Sequence, residues 1–111
     1  PIRAFEGVSF KIADMAMKLE AGRALTLTAA RMYDRGENIT KAASIAKLYT
    51  TEAAIQITND AIQILGGVGY TTDYPVERFY RDARLMTIGG GTAEILRFLI
   101  QREVFKEFFP R

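Results

Sequence analysis

Apolar side chains recur every three or four residues along most of the chain. Val8, Ile12, Met15 and Leu19, then Leu25, Ala29 and Met32, draw the stripe of one long helix. No proline interrupts it, and Gly22 is its only internal glycine after Gly7. Arg35 and Gly36 supply a last-turn cation and a stop. This predicts a first helix over residues 4–35. A second stripe, from Ala42 and Ile45 through Ala53, Ile57 and Ile62 to Leu65, predicts a helix over 39–65, capped by Asn38 or Thr40. Its six alanines allow a neighbour to approach closely. Pro75 suits the first turn of a short third helix, 75–83, where its missing N–H would be unpaired anyway. In that helix Glu77/Arg81 and Arg78/Asp82 stand four apart. They read equally as surface ion pairs worth about 0–1 kcal/mol each or as a brace for the connection around them. Ile95, Leu96, Leu99, Ile100 and Val104 stripe a fourth helix over 92–108. The expected fold class is all-α, an up-and-down four-helix bundle, with no internal repeat.

Composition narrows the chemistry. The 111 residues suffice for one domain, and their net charge of +2 comes from mixed basic and acidic positions. That leaves no footprint for nucleic acid or a membrane surface. With no cysteine and no histidine, disulfides, thiol catalysis, imidazole acid–base chemistry and the usual zinc sites are excluded. A carboxylate would have to serve as any general base. No apolar run approaches the roughly 20 residues that span a bilayer, and no signal peptide is visible. The chain enters a helical pattern at once without an initiator methionine, which suggests a piece of a longer protein.

The connection between the second and fourth helices is the unusual part, since links longer than about 12–15 residues are mostly functional or disordered. This one is rich in glycine, aromatic and apolar residues. Gly89-Gly90-Gly91-Thr92 precedes a helix start, where unpaired N–H groups and the helix dipole suit an anion or a carbonyl oxygen. The bland alternative is a flexible loop with an ordinary threonine cap. Gly66-Gly67-Val68-Gly69-Tyr70 reads either as a second close-approach segment or as a helix end with a left-handed glycine. Gln63, one turn earlier, reaches a ligand or solvent. Glu20, Glu52 and Glu94 lie nearest the apolar stripes, with no acid–base pairing evident among them. Read residue by residue, the chain is a helical bundle with a ligand-like connection.

The run QILGGVGYTTDYPVERFYRDARL, then IGGGTAEI, then Arg102-Glu103, resembles the C-terminal helical domain of the flavin-dependent acyl-CoA dehydrogenases. FEGVSFKIADMAMKLEAGR is similar to that domain's first helix and ASIAKLYTTEAA to its second, so the resemblance covers essentially all of residues 1–111. It implies a subunit with an N-terminal helical domain and a middle β domain upstream, FAD at domain and subunit interfaces, and a homotetramer. It implies an acyl-CoA substrate that loses an α proton to a glutamate and a β hydride to the flavin. An electron-transfer flavoprotein then reoxidises the flavin. Fatty acid or branched-chain amino acid catabolism is the implied setting, cytoplasmic in a bacterium and in the mitochondrial matrix of a eukaryote.

By the same resemblance, Gln63, Ile64, Leu65, Gly66 and Gly67 match the segment that meets the FAD of a neighbouring subunit. Thr92 and Glu94 match contacts to FAD in the same subunit. Phe5-Glu6 lies where the family often has Phe-Gln near FAD, so Glu6 is a departure. Gly89, Gly90 and Gly91 fall on the substrate side. Many members carry Tyr-Glu-Gly-Thr there, and the glutamate is the base; here Gly90 occupies its position. Isovaleryl-CoA and long-chain acyl-CoA dehydrogenases also have a small residue at this point and take the glutamate from an earlier helix, which would precede Pro1. The small residues open space for a branched or long acyl chain. Residues 1–111 alone are therefore expected to be inactive. Two other readings remain: an acyl-CoA oxidase or flavin monooxygenase of the same superfamily, and a non-catalytic helical interaction domain.

Overall fold

The computed structural model describes all of residues 1–111. It is all-α, as the periodicity predicts: α1 is Glu6–Asp34, α2 Thr40–Leu65, α3 Val76–Met86 and α4 Ala93–Phe108, with 3₁₀ segments at Ile2–Ala4 and Gly66–Tyr70. The bounds of α1, α2 and α4 fall within two residues of expectation. Helix α3 runs three residues further, because nothing after Ala83 breaks a helix until Gly89. Thr87 then closes its end, donating to the Arg84 carbonyl at 3.1 Å and accepting from the Arg84 guanidinium at 2.8 Å.

The helix ends follow from local chemistry. Gly36, with φ +74°, ends α1 in a Schellman motif: its N–H donates to Tyr33 and that of Glu37 to Met32. Neither candidate cap stands at the N-cap of α2, which is Ile39 and has no side-chain cap; Asn38, one residue earlier, accepts from the Thr40 N–H at 2.9 Å. Thr92 caps α4, its hydroxyl accepting from the Ile95 N–H at 3.2 Å.

Helix α2 is the centre of the molecule. All three other helices pack on it, and α1 packs on neither α3 nor α4. Only Gln56, Asn59 and Gln63 of α2 are exposed. Helix α1 runs antiparallel to α2, with Gly22 against Tyr49 and Thr50 and a Lys11–Asp60 ion pair at 3.5 Å. Helix α3 turns back from the 66–70 segment along the C-terminal part of α2. Helix α4 continues in the same direction along its N-terminal part, tied by Arg97–Glu52 at 2.6 Å and Lys41–Glu107.

These contacts are close because the residues between them are small. The buried positions are Ala29, Ala46, Ala53, Ala83 and Ala93, with Ser44, Leu96, Gly22 and Gly69. A Cβ on Gly22 would stand 3.1 Å from the Thr50 methyl. No large side chain is fully buried. The molecule measures 57 × 26 × 26 Å with a radius of gyration of 17.0 Å, against about 13 Å for a compact chain of this length. Ile12 and Leu19, expected inside, are exposed, as are Phe10 and Met17. The covered side of α1 instead holds Val8, Met15, Leu25 and Met32 together with Lys11 and Lys18. Helix α1 is thus apolar on two sides, and only one of them faces α2.

Candidate functional site

The Gly89–Gly91 turn is held from α2. The Lys47 ammonium donates to the Gly89 carbonyl and to the Gly91 carbonyl, both at 2.6 Å. Hydrogen bonds from a charged donor are the stronger kind, about 1.5–3 kcal/mol each where shielded, and Lys47 is half-buried. Between the two carbonyls Gly90 adopts φ +69°, and Gly91 adopts φ +110°, a region that L side chains avoid. A Cβ on Gly90 would stand 3.7 Å from the Lys47 nitrogen. The Ala93 N–H returns to the Thr87 carbonyl at 3.0 Å and closes the turn. The N–H groups of Gly90, Gly91, Thr92 and Glu94 find no acceptor within the chain. Gly89, Gly90 and Glu94 are exposed, and Gly91 and Thr92 half-buried. The turn therefore has two of its carbonyls neutralised by a cation and four N–H groups free, which makes it a net donor surface.

Lys47 was not singled out from the sequence. Its partners lie 42 and 44 residues further on, beyond any local pattern. The one available signal was a lysine between Ala46 and Leu48, in a helix that otherwise keeps its charges few.

The second glycine segment lies elsewhere. Gln63, Gly66 and Gly67 are exposed and Ile64 and Leu65 half-buried at the end of α2. Gly66 has φ +65° with ψ −141°, so it is not the left-handed helix stop that the simple reading expects. It turns the chain into the 66–70 segment through a conformation open to glycine alone. Gly69 is there for space: a Cβ would meet the Ile62 carbonyl at 2.7 Å and the Leu65 Cβ at 2.8 Å. Phe5 and Glu6, both exposed, begin α1. Counting along the antiparallel pair from Gly22 opposite Thr50 puts Glu6 level with Gly66.

The residues singled out from sequence thus form two groups. Phe5, Glu6 and Gln63–Gly67 share one end of α1 and α2. Gly89–Gly91, Thr92 and Glu94 gather by Lys47. From Lys47 to Gly66 is about 28 Å of helix axis, so the chain does not bring the two groups into a single pocket. The apolar cleft between α1 and α2, 280 Å³ beside Leu19, Gly22 and Ala53, is lined by neither group.

The carboxylates are engaged structurally or solvated. Glu52 pairs with Arg97 and Glu20 with Arg23, each at 2.6 Å. On α3, Arg81 donates to Glu77 at 2.8 Å, and this bond holds the Glu77 carboxyl below its ordinary range. The matching Arg78–Asp82 pair does not form; the Arg78 guanidinium instead lies 5.5 Å from the centre of the Phe79 ring. On α4, Lys106 at 2.9 Å and Arg102 at 3.3 Å converge on Glu103, and the Lys106 bond chiefly lowers its pKa. No three acidic side chains gather where a metal ion could sit, and no helix is long and apolar enough to cross a membrane.

Comparison with known proteins assigns the chain to a family. Residues 1–105 match the family model described as acyl-CoA dehydrogenase, C-terminal domain. Cyclohexane-1-carbonyl-CoA dehydrogenase of Geobacter metallireducens is 54% identical over 96 residues, 86% of this chain and 25% of that protein. The mitochondrial short-chain specific acyl-CoA dehydrogenase of Rattus norvegicus is 45% identical over 108 residues, 97% of this chain and 26% of that protein. The solved structure of butyryl-CoA dehydrogenase from Megasphaera elsdenii superposes with a TM-score of 0.93 at 39% identity, covering 95% of this chain and 27% of that one. The chain spans about a quarter of the length of the curated relatives it matches.

Proposed function

The chain belongs to the acyl-CoA dehydrogenase family as its C-terminal domain, and from that premise we propose that it forms one wall of the flavin site of an enzyme that dehydrogenates an acyl-CoA thioester between its α and β carbons. The observation that carries this reading is the family match through residues 1–105, which contains both glycine segments. FAD, when bound, takes up the hydride that leaves the β carbon. This chain's share of the work is binding and orientation.

The residues present fit that role. The turn at 89–92 offers free N–H groups without a side chain in front of them, as close approach to a polar oxygen requires. Thr92 and Glu94 take the flavin of their own subunit. Gln63–Gly67, with Phe5 and Glu6 beside them, meet the flavin of a neighbouring subunit. The distance of about 28 Å between the two groups supports two flavins over one and an oligomer, a homotetramer in our reading, over a monomer. An electron-transfer flavoprotein is the proposed acceptor.

Proton removal is assigned outside residues 1–111. Position 90 has no carboxylate, and its backbone does not favour one. A side chain there would be strained at φ +69° and would lie against the Lys47 ammonium. An opposite charge at that range favours the ionised form and so weakens a base. A glutamate on an upstream helix reaches the same α proton, since geometry rather than sequence position defines a base. Gly89, Gly90 and Gly91 then shape the acyl end. Three adjacent positions without side chains favour a bulky acyl group.

The test is anaerobic mixing of the complete flavoenzyme with a series of acyl-CoA thioesters while flavin absorbance is followed. Branched, alicyclic or long acyl groups are expected to bleach the flavin faster than butyryl-CoA. Preference for straight short chains would overturn the substrate assignment. Reoxidation faster with O2 than with an electron-transfer flavoprotein would replace the dehydrogenase reading with an oxidase.

A further inference from the structure

We propose that Lys47 is a positioning residue of this site: a single ammonium on α2 clamps the carbonyls on both sides of Gly90 and so fixes the backbone that the turn presents to its ligands. Two bonds of 2.6 Å leave from one nitrogen, and they reach the first and third of three consecutive glycines. Those glycines are the most adaptable backbone in the chain. Apart from the Gly89 N–H on Leu85, these are the hydrogen bonds that hold residues 89–91. Without the clamp the positive φ angles at Gly90 and Gly91 would be two states among many, because glycine visits both signs of φ with similar ease.

The clamp also sets the polarity of the turn. It occupies carbonyl oxygens that would otherwise repel an electron-rich ligand group, and it leaves the N–H groups of Gly90, Gly91 and Thr92 unpaired. Lys47 stands on the most buried helix of the molecule, so its own position is set by packing against three neighbours. The rigid centre of the fold thereby transmits its geometry to the one segment that has no side chains to do so. The inference deepens the function proposed above and rests on it only for the identity of the ligand.

Two measurements on the complete flavoenzyme test it, with Lys47→Met, Lys47→Gln and Lys47→Arg. Hydrogen exchange read by mass spectrometry is expected to speed up at the bonded amides within residues 88–94, those of Ile88, Gly89 and Ala93, in Lys47→Met, with α1 and the far end of α2 unchanged. Flavin bleaching by the best acyl-CoA is expected to slow about tenfold or more in the same variant, the scale of a misplaced positioning group. Lys47→Arg, which can still donate twice, is expected to recover most of that loss, with Lys47→Gln in between. Unchanged exchange at 88–94, or bleaching within twofold of wild type in Lys47→Met, would overturn the clamp. So would loss of folding in both Met and Gln variants, which would make Lys47 a stability residue only. If wild type is bleached by no acyl-CoA, the proposed function fails while the exchange measurement still decides the clamp.

Discussion

Gly90 and Lys47 show how a site can be specified by what a residue lacks. Gly90 has no side chain to bind or react, yet its φ of +69° and the ammonium 3.7 Å from where its Cβ would lie decide what can stand there. The absence of a carboxylate at 90 was legible from sequence; the reason the backbone disfavours one was not. Nor was Lys47, whose partners are contributed by a loop more than 40 residues away. Glu103 offers a simpler case with a pH signature. Lys106, then Arg102, hold its carboxyl below the ordinary value of 4.5. A carboxyl with a folded pKa below its unfolded one stabilises the protein above the unfolded value, and that stabilisation fades as pH falls through the folded one. Glu103→Gln in the complete enzyme should therefore lower the melting temperature at neutral pH, and the deficit should shrink as pH drops below about 4.5. A deficit that stays constant from neutral to acid pH would contradict this account of Glu103.

At the scale of elements, periodicity located α1, α2 and α4 and Pro75 located α3, and the failures of periodicity have one cause. Ile12 and Leu19 of α1 and Ile95 of α4 were expected inside and are exposed. In each case the helix carries apolar residues on more than one side, so spacing cannot say which side meets α2. The close contacts are made by alanine and glycine, which contribute little to an apolar stripe but allow helix axes to approach. The break between α2 and α3 was read as glycine-rich, but not why each glycine is there. Gly69 is required by space, with the Ile62 carbonyl 2.7 Å from a Cβ, while Gly67 has nothing within 4 Å. Gly69→Ala should destabilise the protein by about 1–3 kcal/mol, the range for overpacking. Gly67→Ala should stay within about 0.5 kcal/mol. Denaturant unfolding of the two variants measures both, and equal effects would contradict the steric account.

The whole molecule is long and poorly covered. Its accessible surface is 7938 Å², whereas a compact monomer of this mass would expose about 6,100 Å². The excess is about twice the roughly 800 Å² that one partner contributes to a standard protein–protein interface, and aromatic residues such as Phe10 and Phe98 are exposed. Residues 1–105 match a C-terminal domain model, and in the proposed function neighbouring domains or subunits cover this surface. The candidate flavin contacts fall into two groups far apart on α2, each with one side built from this chain. In the proposed function the site's chemistry is shared: this chain binds and orients, and the proton goes elsewhere. Glu94 is the carboxylate beside the glycine turn, and it is exposed, so it is the one residue of this chain that could displace that account. The most direct measurement is anaerobic flavin bleaching by acyl-CoA in the complete enzyme and in its Glu94→Gln variant. The account predicts bleaching in both, with the variant within about tenfold of wild type. No bleaching in either, or a loss in the variant of the roughly 10²–10⁴-fold expected on removing a general base, would contradict it.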